Sequence, residues 1–296
     1  MKKRTVGLLL VLLSGAVLGS MPELVALCKA QGANNALLLL FRFGALALLT
    51  LPAALRGGGL GASLRRHFGV LAFLSLTEGL TPILLYAAYG HLPTGLVMTL
   101  HFLYPMVVAV LCFLFFREKL SRAKLLCLAL CLCGVFLTVD LTGGRGDAFG
   151  VAAALLSALT YGAYIVRLNK AEMRDVPPLR LAFFVGAGCF VVCLFYAAVT
   201  GGFSAVPEVT PAGWLCLTAA GILIAAGGAL LMILGTRLTD AQTAAVASTS
   251  EPLASILLGV LFLHEPMDLR IALGCLLILA AVVLLARQNA REQKQK

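Results

Sequence analysis

Charged residues are scarce in this chain of 296 residues, and their scarcity excludes the largest class of proteins. Only 12% of the residues are Asp, Glu, Lys or Arg, whereas 61% are hydrophobic and the mean hydropathy is +1.01. Soluble domains are typically about 45–50% apolar and about 25% charged. A water-soluble globular domain is therefore excluded, and the composition indicates a membrane protein.

Enzyme motifs are missing as well. The sequence has no HExxH metal spacing, no GxSxG nucleophile and no nucleotide-binding loop, so neither an enzyme nor a cofactor is expected. Nine cysteines lie within or at the edges of apolar segments, and this distribution predicts no disulfide framework. The pairs Cys127/Cys131 and Cys189/Cys193 have i, i+4 spacing, but small packing residues explain them better than a metal site does.

Long apolar stretches are what the sequence has in abundance. A bilayer requires about 20 apolar residues per helix, and ten such stretches predict an all-α polytopic protein with ten transmembrane helices. The predicted spans are 5–28, 35–55, 68–89, 94–116, 122–141, 148–167, 179–200, 211–234, 241–263 and 269–286.

Basic residues give the expected orientation. Nineteen Lys and Arg residues fall on the side of the N-terminus and three on the other side. Because cytoplasmic loops retain Lys and Arg, we expect a multi-pass protein of the bacterial inner membrane with both termini in the cytoplasm. This topology and anionic lipid account for the net charge of +10, so the expected partner is membrane lipid and not nucleic acid. The first twenty residues also resemble a secretory signal peptide, but an internal repeat favours a retained helix.

That repeat relates the two halves of the chain. Residues 94–141 align with 241–288 at a shift of 147, pairing Pro105 with Pro252, and span 1 aligns with span 6 at a shift of 143. Because each half has five helices, an odd number, the halves are inverted relative to each other. Many secondary transporters are inverted repeats with a substrate site near the midplane. The predicted units are a first repeat at 1–147, a second, inverted repeat at 148–287 and a basic cytoplasmic tail at 288–296.

Two long segments carry a resemblance to a known family. They are "YPMVVAVLCFLFFREKLSRAKLLCLALCLCGVFLTV" (104–139) and "EPLASILLGVLFLHEPMDLRIALGCLLILAAVVLL" (251–285), and "LLLLFRFGALALL" (37–49) adds an arginine in span 2. Each long segment has a proline, an apolar helix ending in an acid, a short linker and a helix rich in small residues. This pattern resembles the EamA-type ten-helix branch of the drug/metabolite transporter superfamily. The resemblance implies a transporter, more often an exporter, with a cavity lined by spans 3, 4, 8 and 9.

Ionisable residues inside the spans are the candidate site. Each costs about 2.5 to 3.5 kcal/mol at a helix centre and therefore usually faces the bundle interior. Glu78 and Glu251 lie near the middle of spans 3 and 9, and His101 lies about 6 Å to the outer side of the middle of span 4. We predict that Glu251, Glu78, His101, Tyr104 and Ser248 bind substrate or protons; a purely structural role is the alternative.

Prolines accompany three of these positions. Pro82, Pro105 and Pro252 each follow a candidate site residue by four positions. A proline cannot donate a hydrogen bond to the carbonyl four residues back. We therefore predict that these three prolines are hinges that leave a carbonyl free for a ligand.

Two further charges lie at similar depth on consecutive spans. Glu23 is near the outer end of span 1 and Arg42 is about seven residues into span 2. Their depth predicts an ion pair between them, with a snorkelling Arg42 as the alternative.

These features predict a secondary transporter that moves a small metabolite or an amino-acid-like compound by alternating access. Because the buried groups can titrate, protons are a candidate coupling ion. The sequence has no ATP-binding motif, so uphill transport requires an ion gradient or another partner. Two alternatives stay open: a lipid flippase on the same fold, and an intramembrane enzyme that uses His101 with a buried glutamate. The sequence does not define the oligomeric state.

Overall fold

The computed structural model describes residues 3–56, 58–92, 94–117, 121–138, 147–170, 173, 175–263 and 269–294. Within these ranges every regular element is a helix, which confirms the all-α fold. The α-helices are α1 (Lys3–Leu18), α2 (Met21–Ala30), α3 (Asn35–Leu55), α4 (Leu60–Ala88), α5 (Thr94–His101), α6 (Tyr104–Phe116), α7 (Arg122–Thr138), α8 (Ala148–Lys170), α9 (Pro178–Val199), α10 (Pro211–Leu223), α11 (Leu231–Leu238), α12 (Ala241–Ser248), α13 (Ser250–Leu263) and α14 (Leu269–Lys294). A 3₁₀ segment (Gly202–Glu208) precedes α10, and a π-helical segment (Ile224–Leu230) joins α10 to α11.

The helices follow the predicted order of spans, and the protein is an integral multi-pass membrane protein. Among the described residues, six segments are long and apolar enough to cross a bilayer: Lys3–Ala30, Asn35–Leu55, Leu60–Ala88, Ala148–Lys170, Pro178–Val199 and Pro211–Leu238. The other four predicted spans correspond to α5 with α6, to α7, to α12 with α13, and to α14. Two boundaries differ from the prediction. Helix α4 begins at Leu60 instead of residue 68, and α14 continues to Lys294, through most of the predicted tail.

Spans 4 and 9, which correspond to each other in the two halves, are broken at the equivalent position in the described residues. Helix α5 ends at His101 and α6 begins at Tyr104; α12 ends at Ser248 and α13 begins at Ser250. The shift of 147 found in the sequence superimposes α5 on α12. A proline stands in the first turn of α6 and of α13. At that position the missing backbone N–H of proline would have no helical partner in any case. The two-repeat architecture therefore appears in the structure as a pair of matched discontinuous helices.

The bundle is held together by contacts between the halves. Helix α1 packs on α11, α3 on α9, α4 on α8, and α7 on α14. Small residues permit the close approach of α1 and α11, since a Cβ on Gly235 would lie 2.7 Å from Cγ2 of Val11 and 2.8 Å from the carbonyl oxygen of Gly7. Such small-residue contacts are the usual means of helix association in membranes.

A charged network joins three helices at one end of the bundle. Asp240 precedes α12 and caps it by accepting a hydrogen bond from the Thr243 backbone N–H at 2.9 Å. The same carboxylate accepts hydrogen bonds from Nζ of Lys124 at 2.8 Å and from Arg4. Burial raises the pKa of Asp240, but Lys124 and the donors of Thr243 outweigh it and lower the pKa from 3.8 to about 2.

Candidate functional site

An ion pair between Arg42 on α3 and Glu78 on α4 lies inside the bundle. Nη2 of Arg42 is 3.5 Å from Oε1 of Glu78, and the two side chains are 12% and 7% exposed. Nε of Arg42 and Oε2 of Glu78 are buried and have no hydrogen-bond partner among the described residues. Hydrogen bonds between charged groups are usually about 2.7–2.9 Å long. The pair is therefore loose, and both groups retain unused hydrogen-bonding capacity.

Among the described residues Arg42 pairs with Glu78, whereas the sequence predicted an ion pair between Glu23 and Arg42. Glu23 lies on α2, and its Oε2 atom is buried with no hydrogen-bond partner in the described part of the chain. The prediction compared only the depth of the two residues in the membrane. Equal depth does not establish which helices face each other, and α4 supplies the acid that faces Arg42.

Glu251 adds a second carboxylate to the same region. It lies in the first turn of α13, is partly exposed, and interacts electrostatically with both Arg42 and Glu78. The dipole of a helix favours a negative charge at its N-terminus. One guanidinium and two carboxylates, predicted separately from three different spans, therefore share one interior region.

Tyrosines surround these charges. Tyr104 and Tyr161 are buried, their rings are 4.8 Å apart, and both interact electrostatically with Glu251. Tyr164 stacks beside Tyr161 at 6.2 Å. The hydroxyl of Tyr86 is buried and unpartnered within the described residues. We refer to Arg42, Glu78, Tyr104, Tyr161 and Glu251 as the central cluster.

The predicted site residues Tyr104 and Ser248 are in direct contact. Their hydroxyl oxygens lie 2.7 Å apart and both residues are fully buried. Tyr104 begins α6 and Ser248 ends α12, so this hydrogen bond joins the broken helix of one half to the broken helix of the other. It places the central cluster at the boundary between the halves.

His101 lies beside the central cluster but is already hydrogen-bonded. Its Nδ1 is 3.0 Å from Oγ of Ser157, and its ring packs 5.5 Å from that of Tyr104 and 5.7 Å from that of Tyr161. Ser157 is not among the site residues predicted from the sequence. Ser157 on α8 is the repeat counterpart of Ser14 on α1, and both serines are fully buried, but the repeat does not indicate the contact with His101 because Ser14 bonds to the Gly228 carbonyl instead.

The three prolines differ in their surroundings. Pro105 and Pro252 stand at the starts of α6 and α13, directly after the breaks. Pro82 lies inside α4, which is continuous from Leu60 to Ala88. The helix is therefore interrupted next to two of the predicted hinges and is uninterrupted at the third.

The central cluster can bind a molecule that carries both charges. Arg42 can donate hydrogen bonds to a carboxylate, and Glu78 and Glu251 can accept them from an ammonium group. The aromatic faces of Tyr104 and Tyr161 supply apolar surface with polar tips.

Comparisons with known proteins identify the architecture. The profile of the EamA-like transporter family matches residues 5–140 and 148–287. An uncharacterised transporter of Synechocystis is 28% identical over 225 residues, covering 73% of this chain and 64% of that protein. The uncharacterised transporter YvbV of Bacillus subtilis is 28% identical over 212 residues, covering 70% of this chain and 67% of that protein.

A solved crystal structure has the same fold. It superimposes with a TM-score of 0.78, covers 95% of this chain and 98% of its own, and is 19% identical in sequence.

Proposed function

The chain belongs to the EamA-like transporter family, and from this premise we propose that it exports a small amino-acid-like metabolite by alternating access. The observation that carries the proposal is the loose Arg42–Glu78 pair, in which each residue has a buried polar atom with no partner among the described residues. Buried polar groups are normally hydrogen-bonded. A substrate carboxylate on Nε of Arg42 and a substrate amine on Oε2 of Glu78 would satisfy both.

Glu251 supports a cationic group on the substrate. Glu251 interacts with both Arg42 and Glu78, so the central cluster has two acidic side chains for one guanidinium and offers more acceptors than donors to a substrate ammonium group. Glu251 is less buried than Glu78 and lies at the start of α13, beside the break in span 9.

The broken helices support alternating access. Substrate sites of inverted-repeat transporters lie between the repeats and are formed by discontinuous helices. Here α5–α6 and α12–α13 meet through Tyr104 and Ser248. Rocking of the halves about this contact would expose the central cluster to each side in turn.

We further propose a direction of transport, an orientation in the membrane and a coupling ion. The basic loops favour cytoplasmic termini in the bacterial inner membrane, and the family likeness favours export. Glu78 and Glu251 are acids placed to release protons as a substrate amine binds, which favours proton coupling. A transport rate that stays the same when the pH gradient is collapsed would contradict the coupling.

The intramembrane enzyme receives less support from the geometry. That alternative requires His101 to act with a buried glutamate, whereas the side-chain partner of His101 is the hydroxyl of Ser157. The lipid flippase requires a site for a phosphate and long chains. The central cluster offers a single guanidinium beside two acidic side chains, which fits one carboxylate paired with an ammonium group better than the larger negative charge of a phosphate.

Ligand-induced stabilisation tests the substrate class. The purified protein is melted with amino acids, with amines that lack a carboxylate, and with carboxylic acids that lack an amine. A ligand at 100 times its Kd stabilises by about 2.7 kcal/mol. We expect stabilisation only by compounds with both groups, and none in a variant carrying Arg42→Met and Glu78→Met. Equal stabilisation of that variant would refute the site, and stabilisation by single-charge compounds alone would refute the substrate class.

A further inference from the structure

Two cysteines from different halves of the chain lie in contact near one end of the bundle. Sγ of Cys28 on α2 is 2.7 Å from Sγ of Cys216 on α10. Both thiols are free. The sulfurs of a disulfide are about 2.05 Å apart, so these two need to approach by less than about 1 Å. We propose that Cys28 and Cys216 form a disulfide in the cell.

The surrounding backbone holds the two cysteines in place. The loop after α2 donates and accepts hydrogen bonds with the segment before α10. The backbone N–H of Thr210 donates to the carbonyl of Gln31 at 3.1 Å, and Nδ2 of Asn34 donates to the carbonyl of Gly202 at 2.8 Å. A Cβ on Gly32 would lie 2.3 Å from the carbonyl oxygen of Glu208, so the two segments touch. The thiols are therefore kept together by a contact that does not depend on them.

The position along the helices places the pair near the membrane surface. Cys28 is two residues before the end of α2, and Cys216 is five residues after the start of α10. At about 1.5 Å per residue, both lie within about 8 Å of their helix ends. Trp214 lies beside Cys216 and packs on Phe41, 5.8 Å away. Tryptophan is typical of the membrane–water interface.

The membrane orientation proposed above determines on which side of the membrane the cysteine pair lies. The disulfide inference rests on that orientation. With a cytoplasmic N-terminus, the loop after α2 and the segment before α10 face the outside of the inner membrane. Disulfides form and persist in the bacterial periplasm and are rare in the cytoplasm. The cysteine pair therefore lies at the oxidising end of the bundle.

The different exposure of the two thiols defines which of them reacts first in the thiol–disulfide exchange. Cys28 is fully buried and Cys216 is partly exposed. The oxidant is a protein disulfide of the periplasm. The thiolate of Cys216 attacks one of its sulfurs, forming a mixed disulfide and releasing one oxidant thiol. The thiolate of Cys28 then attacks the Cys216 sulfur and releases the second thiol. Two electrons and the two cysteine protons end on the oxidant, which leaves as a dithiol.

Differential alkylation of the full-length protein tests the proposal. Cells are quenched in acid, denatured, and alkylated with light N-ethylmaleimide; the sample is then reduced and alkylated with the heavy reagent. Mass spectrometry of the peptides reads the label on each cysteine. We expect heavy label on Cys28 and Cys216, and light label on Cys28 in a Cys216→Ser variant. The matched control is Cys275→Ser, which removes a partly exposed thiol on α14. In this variant Cys28 and Cys216 should both still carry the heavy label.

Two results would overturn the disulfide. Light label on both cysteines in the wild type shows that they stay reduced. Heavy label on Cys28 in the Cys216→Ser variant shows that Cys28 has a different partner. Because the readout is the oxidation state and not transport, neither result depends on whether the substrate class is correct.

Discussion

Nη2 of Arg42 and Oε1 of Glu78 lie 3.5 Å apart in the interior of a membrane protein, and each side chain has another buried polar atom without a partner in the described residues. An arrangement selected for stability alone would close this distance and satisfy both atoms. The looseness of the pair is therefore the feature that most directly indicates a ligand.

Methionine substitutions separate the structural role of this pair from its function. Glu78→Met leaves Arg42 buried without its partner, and we expect it to lower stability by about 3 kcal/mol. Replacing both residues by methionine should restore stability, because a buried ion pair is often no more stabilising than apolar residues of similar size. Transport should be lost in both variants. The measurements are unfolding in detergent and uptake into proteoliposomes; a double variant that transports normally would show that the pair binds no substrate.

The hydrogen bond between Tyr104 and Ser248 predicts a coupling between two substitutions. Tyr104→Phe and Ser248→Ala should each cost about 1 kcal/mol, and the double variant should cost less than the sum. Unfolding midpoints of the four proteins give the coupling energy. Ser14→Ala is the control, because Ser14 donates to the carbonyl of Gly228 elsewhere in the bundle, and its effect should add to that of Tyr104→Phe. Additivity between Tyr104 and Ser248 would contradict the contact.

Asp240 predicts a dependence of stability on acid pH. Its pKa is lowered from 3.8 to about 2, so its charged form is favoured in the folded protein. The contribution, about 2 kcal/mol, is fully present above about pH 4 and is lost as the pH falls through 2. We expect Asp240→Asn to be less stable than the wild type at pH 6, with a difference that shrinks towards pH 3. A difference that stays constant from pH 6 to pH 3 would contradict the assignment.

Two glycines provide a matched test of helix packing. Gly235→Ala places a Cβ 2.7 Å from Val11 and 2.8 Å from the Gly7 carbonyl oxygen, and we expect it to cost about 1–3 kcal/mol. Gly69→Ala on α4 meets no atom of the described residues within 4 Å and should stabilise by up to about 1 kcal/mol through helix propensity. Thermal unfolding of the two variants makes the comparison. Equal effects would show that α1 and α11 are not in close contact.

The number and order of spans and the repeat were predictable because both depend on apolar length and on matching residues at a fixed shift. The breaks in spans 4 and 9 lie next to Pro105 and Pro252, but proline alone does not predict a break, because α4 continues through Pro82. The partner of Arg42 was not predictable, because it depends on which face α3 turns towards α4. The contacts His101–Ser157 and Cys28–Cys216 join helices far apart in the sequence, and hydrophobic periodicity does not contain that rotational information.

The most direct test of the account measures metabolites in cells that express the wild type, Glu251→Gln or Glu208→Gln at equal membrane levels. Glu208 is exposed in the 3₁₀ segment and serves as the control. Internal and external compounds are quantified by mass spectrometry. We predict that the wild type and Glu208→Gln move the same amino-acid-like compound out of the cell and that Glu251→Gln does not. If the profiles of the wild type and Glu251→Gln coincide, Glu251 is not part of the transport site and the central claim is wrong.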